Sequence, residues 1–168
     1  MPVSVRVAVL PQDNAEIGDK AWALVNVSVA TIKKEPRFAV AATTQALAGT
    51  PLRLLEFKTP FWRVQMPDGY IGWVHRLQIA RMSAKEFADW NASRRVVVTA
   101  RFTTLTSENG ATLAPLTAGS IVRFIEKQGN RVLVQLPDGH SGFLRTSDVR
   151  ETNAHFSFCD RLRREEPR

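Results

Sequence analysis

Apolar and polar residues alternate with a period of two along several segments of the chain, which is the pattern of β-strands with one buried face. Trp62, Val64 and Met66 fall on one side of such a segment, and the residues between them are polar. A largely apolar segment, 51–58, precedes it and ends before a proline. These two segments predict neighbouring strands.

The chain repeats itself at an offset of 70 residues. Residues 64–74, VQMPDGYIGWV, correspond to residues 134–144, VQLPDGHSGFL. The register of this match holds without a gap over residues 48–74. The second copy has the same alternation, at Val132, Val134 and Leu136. Because the period is longer than that of typical solenoid repeats, we expect two copies of one module in tandem.

A Pro-Asp-Gly turn sequence follows the alternating strand in each copy, at residues 67–69 and 137–139. Proline presets the first turn angle, aspartate can cap the turn, and glycine accepts a positive φ. Asp68 and Asp138 are therefore interpreted as turn residues. Short strands joined by frequent turns favour small barrels over helical domains.

A short helix is predicted between the two copies, at about residues 84–92. Ser83 and Glu86 have the spacing of a capping box, in which each side chain bonds the other residue's backbone amide. Phe87 and Trp90 lie three residues apart and so share one helix face. The predicted fold is mainly β, with two small barrels in tandem joined by this α-helix.

Four parts follow from this organisation. They are a first barrel with an N-terminal arm (1–82), a connecting helix (83–93), a second barrel (94–151) and a tail (152–168). In the arm, an added strand is predicted from the alternating residues Val3, Val5, Val7 and Val9.

Composition narrows the function classes. The chain has 168 residues, of which 44% are hydrophobic and 23% charged, a balance that excludes disorder of the whole chain. No apolar run approaches the length of a transmembrane helix. The net charge of +7 is spread along the chain, whereas a nucleic-acid groove more often has a clustered basic stripe. We therefore expect no nucleic-acid partner, although the pI of about 10.3 keeps nonspecific binding as an alternative.

Metal and cofactor chemistry has little support in the sequence. The chain has one cysteine, Cys159, and three histidines, His75, His140 and His155, none of them spaced as metal ligands on a helix. We predict no cofactor, no metal site and no catalytic residue. The first residues, MPVSVRVAVLPQDN, do not resemble a secretory signal. The compartment stays open: the cytoplasm if the chain is complete, the cell envelope if a leader has been removed.

An ordered set of motifs resembles a known family. The segments SVATIKKEP, TQALAGTPLRLLE, FWRVQMPDGYIGWV, MSAKEFADW and PDGHSGF occur in this order over roughly residues 25–150. The set resembles the paired bacterial SH3 domains that precede the catalytic domain of NlpC-type cysteine peptidases, which are γ-D-glutamyl-diamino-acid endopeptidases. The resemblance implies that the two barrels are SH3-like and that the ligand is a cell-wall peptide.

The catalytic part of that family has no counterpart in this sequence. The family's catalytic domain opens with an Asp-Cys-Ser-Gly motif and carries a histidine further on. Here Cys159 is followed by nine residues and by no histidine. A cysteine nucleophile needs a neighbouring base. We therefore expect that this chain by itself is not an enzyme.

The resemblance also implies a ligand site. In the family, the tyrosine of the DGYxGW element contacts the free amino end of the substrate, together with an acidic residue. The tyrosine corresponds to Tyr70, but the acidic position falls on Ala41. Glu35 lies on the same predicted loop and is the candidate replacement, and Lys33 stands where the family usually has arginine.

Trp73 and Trp62 complete the candidate ligand residues, although a core position is favoured for both. Trp62 shares the alternation of the core-facing residues, and Trp73 is matched by Phe143 in the second copy. Tyr70 has an alternative interpretation as a half-buried barrel residue whose hydroxyl is in water. The second copy has His140 at that position, so the barrel does not require tyrosine.

The leading functional prediction is a non-catalytic module that binds or targets cell-wall peptides or muropeptides. One alternative is the N-terminal substrate-recognition part of an NlpC-type endopeptidase, whose partner would be a peptidase catalytic domain. Another is an SH3-like protein-interaction module, because such barrels bind extended peptides in aromatic grooves.

Overall fold

The computed structural model describes residues 9–11 and 15–153. Within these residues the chain forms fourteen strands in two seven-stranded antiparallel sheets, together with one α-helix, α1 (Ala84–Ala92). The first sheet contains β1 (Trp22–Val25), β2 (Val29–Lys33), β3 (Ala42–Leu47), β4 (Pro51–Lys58), β5 (Phe61–Gln65), β6 (Ile71–His75) and β7 (Ile79–Met82). The second contains β8 (Arg95–Val98), β9 (Phe102–Thr106), β10 (Thr112–Thr117), β11 (Ile121–Gln128), β12 (Arg131–Gln135), β13 (Ser141–Arg145) and β14 (Val149–Thr152). The predicted fold class, mainly β with two small SH3-like units, is confirmed.

The two sheets have the same topology. The strand order is β3-β2-β6-β5-β4-β1-β7 in the first and β10-β9-β13-β12-β11-β8-β14 in the second. From the third strand onward, equivalent strands start 70 residues apart, as Ala42 and Thr112 do. The second strands, however, start 73 residues apart, at Val29 and Phe102. The loop after β2, residues 34–41, is therefore three residues longer than the loop after β9, residues 107–111.

Alternation along β5 and β12 builds the two cores as predicted. Trp62, Val64 and Met66 are buried in the first core. In the second core the buried residues include Val132, Val134 and Leu136. A one-residue slip of β5 would expose this set, so the apolar pattern fixes the strand register.

The turn between β5 and β6 forms as the Pro-Asp-Gly sequence predicts. Gly69 has a φ of +89°, and the Asp68 carboxylate accepts a 2.9 Å hydrogen bond from the Tyr70 amide. In the second sheet Gly139 has a φ of +93°, and Asp138 accepts from the His140 amide at 3.0 Å. Both aspartates therefore hold the turn.

Helix α1 begins at the predicted capping box. The Ser83 Oγ accepts from the Glu86 amide at 3.2 Å, and the Ser83 amide donates to Glu86 Oε2 at 2.7 Å. Phe87 and Trp90 are buried in a cluster with Leu24 of the first sheet, against which Ile121 of the second sheet also packs. The helix thus adds apolar contacts where the two sheets meet.

Direct contacts also join the two sheets. The Ile121 amide donates to the Ala48 carbonyl at 2.9 Å. The Asn26 side chain donates to Asp138 Oδ2 at 2.8 Å, and its oxygen accepts from the Asp138 amide at 3.1 Å. The hairpin turn of the second sheet is therefore fixed against the β1–β2 connection of the first.

Some expectations lie outside the described residues, namely Val3, Val5, Val7, His155 and Cys159. The division of the chain at residues 82, 93 and 151 stays a prediction. In the described part of the chain, no helix has the length and hydrophobicity needed to cross a membrane. Among the same residues, no cluster of three or more histidine, cysteine, aspartate or glutamate side chains is placed to hold a metal ion.

Candidate ligand-binding site

Tyr70 lies at the end of the β5–β6 turn, half-buried against the first core. Its ring packs over Gly72, where a Cβ atom would lie 3.1 Å from the ring, 2.5 Å from Ile32 Cγ2 and 3.0 Å from the Lys33 carbonyl oxygen. This close approach requires glycine at position 72 and places the ring beside the end of β2. The Tyr70 hydroxyl has no hydrogen-bond partner among residues 15–153 and can take one from a ligand.

Glu35 lies on loop 34–41, which leaves β2 at the point where Tyr70 packs. Lys33 fastens this loop, because its Nζ donates to the carbonyls of Phe38 at 2.6 Å and of Arg37 at 3.2 Å. The exposed Glu35 carboxylate pairs with Arg37 at 3.6 Å. Ion pairs this exposed contribute little energy, so a ligand cation can compete with Arg37 for the carboxylate.

Trp73 is buried, but it is separate from the core cluster that Tyr70 packs against. It pairs with Lys33 in the β2–β6 register. The Lys58 ammonium and the Arg63 guanidinium lie 5.3 and 5.8 Å from the centre of its ring. Both cations also pair with the Glu56 carboxylate, at 3.2 and 3.5 Å, so the indole of Trp73 lies beneath a network of ion pairs.

Trp62 lies inside the first core, 4% exposed. Its ring is 4.5 Å from that of Phe57, and the Arg81 guanidinium stacks on it at the same distance. Arg81 is in turn held by the carbonyl of Ile17, at 2.6 Å. The structure brings Tyr70 and Glu35 to one end of β2, whereas Trp62 is placed as a core residue.

An aromatic cluster formed by Phe38 of loop 34–41 with two residues at the open end of the β5–β6 hairpin was missed by the sequence interpretation. Phe38, on loop 34–41, is 70% exposed, and its ring lies 5.0 Å from that of Phe61 and 5.4 Å from that of His75. The three rings line a cleft of about 270 Å³ together with Thr31 and Lys33. Phe61 and His75 are opposite each other in the hairpin. The position of the turn in the sequence determines this pairing, so this part of the cluster could have been predicted.

Most of the first sheet matches the model of a known family. Residues 32–79 match the family model described as the bacterial dipeptidyl-peptidase Sh3 domain. The match runs from β2 into β7 and contains both Glu35 and Tyr70. The resemblance to bacterial SH3 domains of NlpC-type peptidases is confirmed. The match includes no catalytic domain.

Two solved structures share this fold. One is an NlpC/P60 family protein from Bacillus cereus ATCC 10987, with a TM-score of 0.65 and 21% identity over 78% of this chain and 56% of that chain. The other is an NlpC/P60 endopeptidase from Photobacterium damselae subsp. piscicida, with a TM-score of 0.59 and 16% identity over 85% of this chain and 35% of that chain. The chain thus spans about half and about a third of these two proteins. No curated protein sequence matches it.

Proposed function

We propose that this chain is a non-catalytic module that binds cell-wall peptides through the first sheet, at Tyr70 and loop 34–41. The observation that carries the proposal is the placement of Tyr70 and Glu35 at the same end of β2. The family match over residues 32–79 supports it, because the matched model describes the SH3 domain of a bacterial peptidase. The cell-wall peptide as ligand is what the resemblance to NlpC-type peptidases implies.

The chemistry of a peptide's amino end fits these side chains. An ammonium group that leaves water needs a carboxylate or several carbonyl oxygens in exchange. The exposed carboxylate of Glu35 supplies the first, and the free Tyr70 hydroxyl supplies a further acceptor. In this proposal Glu35 replaces the acidic side chain that is missing at Ala41.

The test is an NMR titration of the labelled chain with the stem tripeptide L-alanyl-γ-D-glutamyl-diaminopimelate. We expect amide shifts at Tyr70 and in loop 34–41. Glu35→Gln should weaken binding about fivefold, since it removes one exposed charge-assisted contact. Glu108→Gln is the matched control, because Glu108 occupies the equivalent position in the second sheet's shorter loop.

Two results would overturn the proposal. One is the absence of shifts near Tyr70 at millimolar tripeptide. The other is equal binding of the tripeptide and its N-acetylated form, which lacks the ammonium group that Glu35 is proposed to bind. The non-catalytic part has its own check: mass spectrometry should find the tripeptide intact after long incubation.

A second candidate is the substrate-recognition part of an NlpC-type endopeptidase. It is favoured by the share of the two solved NlpC/P60 proteins that the chain spans, 56% and 35%. In this case the chain would dock on an NlpC-type catalytic domain and present the peptide to it. Calorimetry with a separately produced catalytic domain tests this candidate, and the absence of binding at micromolar concentrations removes it.

A further inference from the structure

The second sheet has a cleft at the place that the Phe38 cluster occupies in the first. It measures about 370 Å³ and lies between β9, β12 and β13. In the first sheet the equivalent positions of the hairpin pair hold Phe61 and His75, whereas in the second they hold Arg131 and Arg145. The shorter loop 107–111 brings no counterpart of Phe38 over the cleft. The second cleft is therefore open and basic where the first is aromatic.

Arg131 and Arg145 are direct cross-strand neighbours. Like charges placed opposite each other in an antiparallel pair are destabilising. Among the described residues, Arg131 has no carboxylate partner, and its guanidinium stacks on the Phe143 ring at 4.3 Å. An anion bound between the two guanidinium groups would relieve their repulsion.

Arg145 is held in place from beneath the cleft. Its Nε donates to Asp148 Oδ2 at 3.1 Å. Asp148 is buried and also accepts a 2.7 Å bond from the Thr103 hydroxyl. This contact uses only Nε, so the outer edge of the guanidinium stays available to a ligand. Arg131 and Arg145 thus line the same cleft, each oriented by one contact, and their guanidinium groups can bind one anion together.

We propose that this cleft binds a peptide carboxylate, held between Arg131 and Arg145, with the adjoining apolar side chain on Phe102. Phe102 lines the cleft and is 74% exposed, so it offers an apolar surface beside the two charges. The proposal concerns the second sheet and stands without the peptide site proposed for the first.

The charge of the site favours a carboxylate over a phosphate. Asp148 pairs with Arg145, which leaves Arg131 as the one unpaired charge among the residues that line the cleft. A monoanion matches that charge, whereas a phosphate dianion would also lie near the Asp148 carboxylate. The planar fork of arginine also fits the two oxygens of a carboxylate.

The test is an NMR titration of the labelled full chain with three probes: N-acetyl-alanyl-leucine, its C-terminal amide, and inorganic phosphate. We expect the free acid to shift the amides of 102–106 and 143–145, and the amide to leave them unshifted. Arg145→Gln and Arg131→Gln should each weaken binding of the acid about fivefold or more. Arg150→Gln removes the same charge from β14, at the far edge of the sheet, and should leave binding unchanged.

Arg131→Lys keeps the charge without the fork and should bind more weakly than the original chain but more strongly than Arg131→Gln. Dispersed amide spectra establish that each variant is folded. The proposal fails if the acid and its amide give equal shifts, if phosphate binds as tightly as the acid, or if no probe shifts these residues at millimolar concentration. It also fails if Arg150→Gln weakens binding as much as Arg145→Gln, because the effect would then be general charge.

Discussion

Asp148 is the residue on which much of the second sheet's polar structure depends. Its carboxylate accepts hydrogen bonds from Thr103 at 2.7 Å, Ser147 at 3.0 Å and Arg145 at 3.1 Å. The Thr103 bond above all lowers the pKa of Asp148 below its ordinary 3.8, although burial acts in the opposite direction. The folded chain therefore favours the ionised form of this carboxyl.

The sign of the resulting pH dependence follows from that direction. Because the pKa of Asp148 is lower in the folded than in the unfolded chain, its ionised form adds stability above the unfolded pKa of about 4. This contribution is lost as the pH falls through the folded pKa. Asp148→Asn should lower the free energy of unfolding at neutral pH by about 1–3 kcal/mol, since it weakens bonds to a buried group. The variant should also lose less of its free energy of unfolding than the original chain does as the pH falls below about 4.

Urea denaturation over a pH series measures both effects, with Glu108→Gln as the control for loss of an exposed carboxylate. Gln78 occupies the position of Asp148 in the first sheet, so a neutral amide is compatible with this fold. If the free energies of unfolding of Asp148→Asn and the original chain differ by the same amount at every pH, then Asp148 does not cause the loss of stability in acid.

Single residues could be placed from sequence wherever a local pattern determines them. Trp62 shares a strand face with Val64, so its burial follows from the alternation. Asp68 follows from the turn sequence alone. The burial of Phe61 does not follow from a local pattern, because Phe61 lies on the face opposite Trp62 and yet is only 2% exposed. Its burial depends on Phe38, which reaches it from a different loop, and no period within β5 contains that information.

The loop after β2 is the element that most distinguishes the two sheets. Residues 34–41 carry Glu35 and Phe38, whereas the shorter loop 107–111 carries Glu108 without an aromatic residue. The offset of 70 residues predicts two similar barrels, but the match is recognisable only from residue 48 onward. The change of offset from 70 to 73 lies just upstream, in segments of the two copies that share few identical residues.

Replacing residues 34–41 by SQNGA, which is the second loop with glutamine in place of its glutamate, tests what this element does. The fold should persist, because a change of three residues in loop length alters the closure entropy little. The loss of the Phe38–Phe61 contact should cost about 1 kcal/mol of stability. The stem tripeptide should no longer shift Tyr70. Urea denaturation and the NMR titration measure the two effects.

Phe38→Ala is the matched control for that replacement, because it removes the aromatic contact and keeps the loop with Glu35. We expect it to lose similar stability and to keep the tripeptide shifts. If the replaced chain binds the tripeptide as well as the original, loop 34–41 is not part of the site.

Helix α1 depends on its first turn. Ser83→Ala removes the hydroxyl that accepts from the Glu86 amide, and should lower the free energy of unfolding by about 1 kcal/mol. Ser83→Thr keeps an oxygen in the same place and should lose much less. Urea denaturation of the three proteins measures the difference. An unchanged midpoint for Ser83→Ala would mean that packing of Phe87 and Trp90 alone sets the helix start.

The contact between the two sheets determines how the whole molecule is arranged, and no pattern in the sequence predicts it. Gly49 and Gly119 match each other in the repeat, and both have a positive φ, +82° and +89°. Their surroundings differ: a Cβ on Gly49 would lie 2.0 Å from the backbone oxygen of Ile121, in the other sheet. A pattern of identical glycines cannot distinguish a turn from a close approach of two backbones.

A series of glycine substitutions separates these two roles. Gly69→Ala meets nothing within 4 Å at a φ of +89°, so it should cost only the left-handed backbone penalty of about 1–2 kcal/mol. Gly119→Ala meets one methyl group at the flexible end of Leu47, 2.7 Å away, and should cost slightly more. Gly49→Ala meets backbone that the hydrogen bond from the Ile121 amide to Ala48 holds in place.

Gly49→Ala should therefore cost about 3 kcal/mol or more, because neither backbone can move without separating the sheets. Urea denaturation gives the order of the three losses, and the amide shift of Asp138, which is bonded to Asn26 across the contact, reports whether the sheets separate. A displaced Asp138 signal in Gly49→Ala and an unchanged one in Gly69→Ala would locate the damage at the contact. Equal losses in all three variants would mean that the conformation of the glycines, and not the approach of the two sheets, determines their cost.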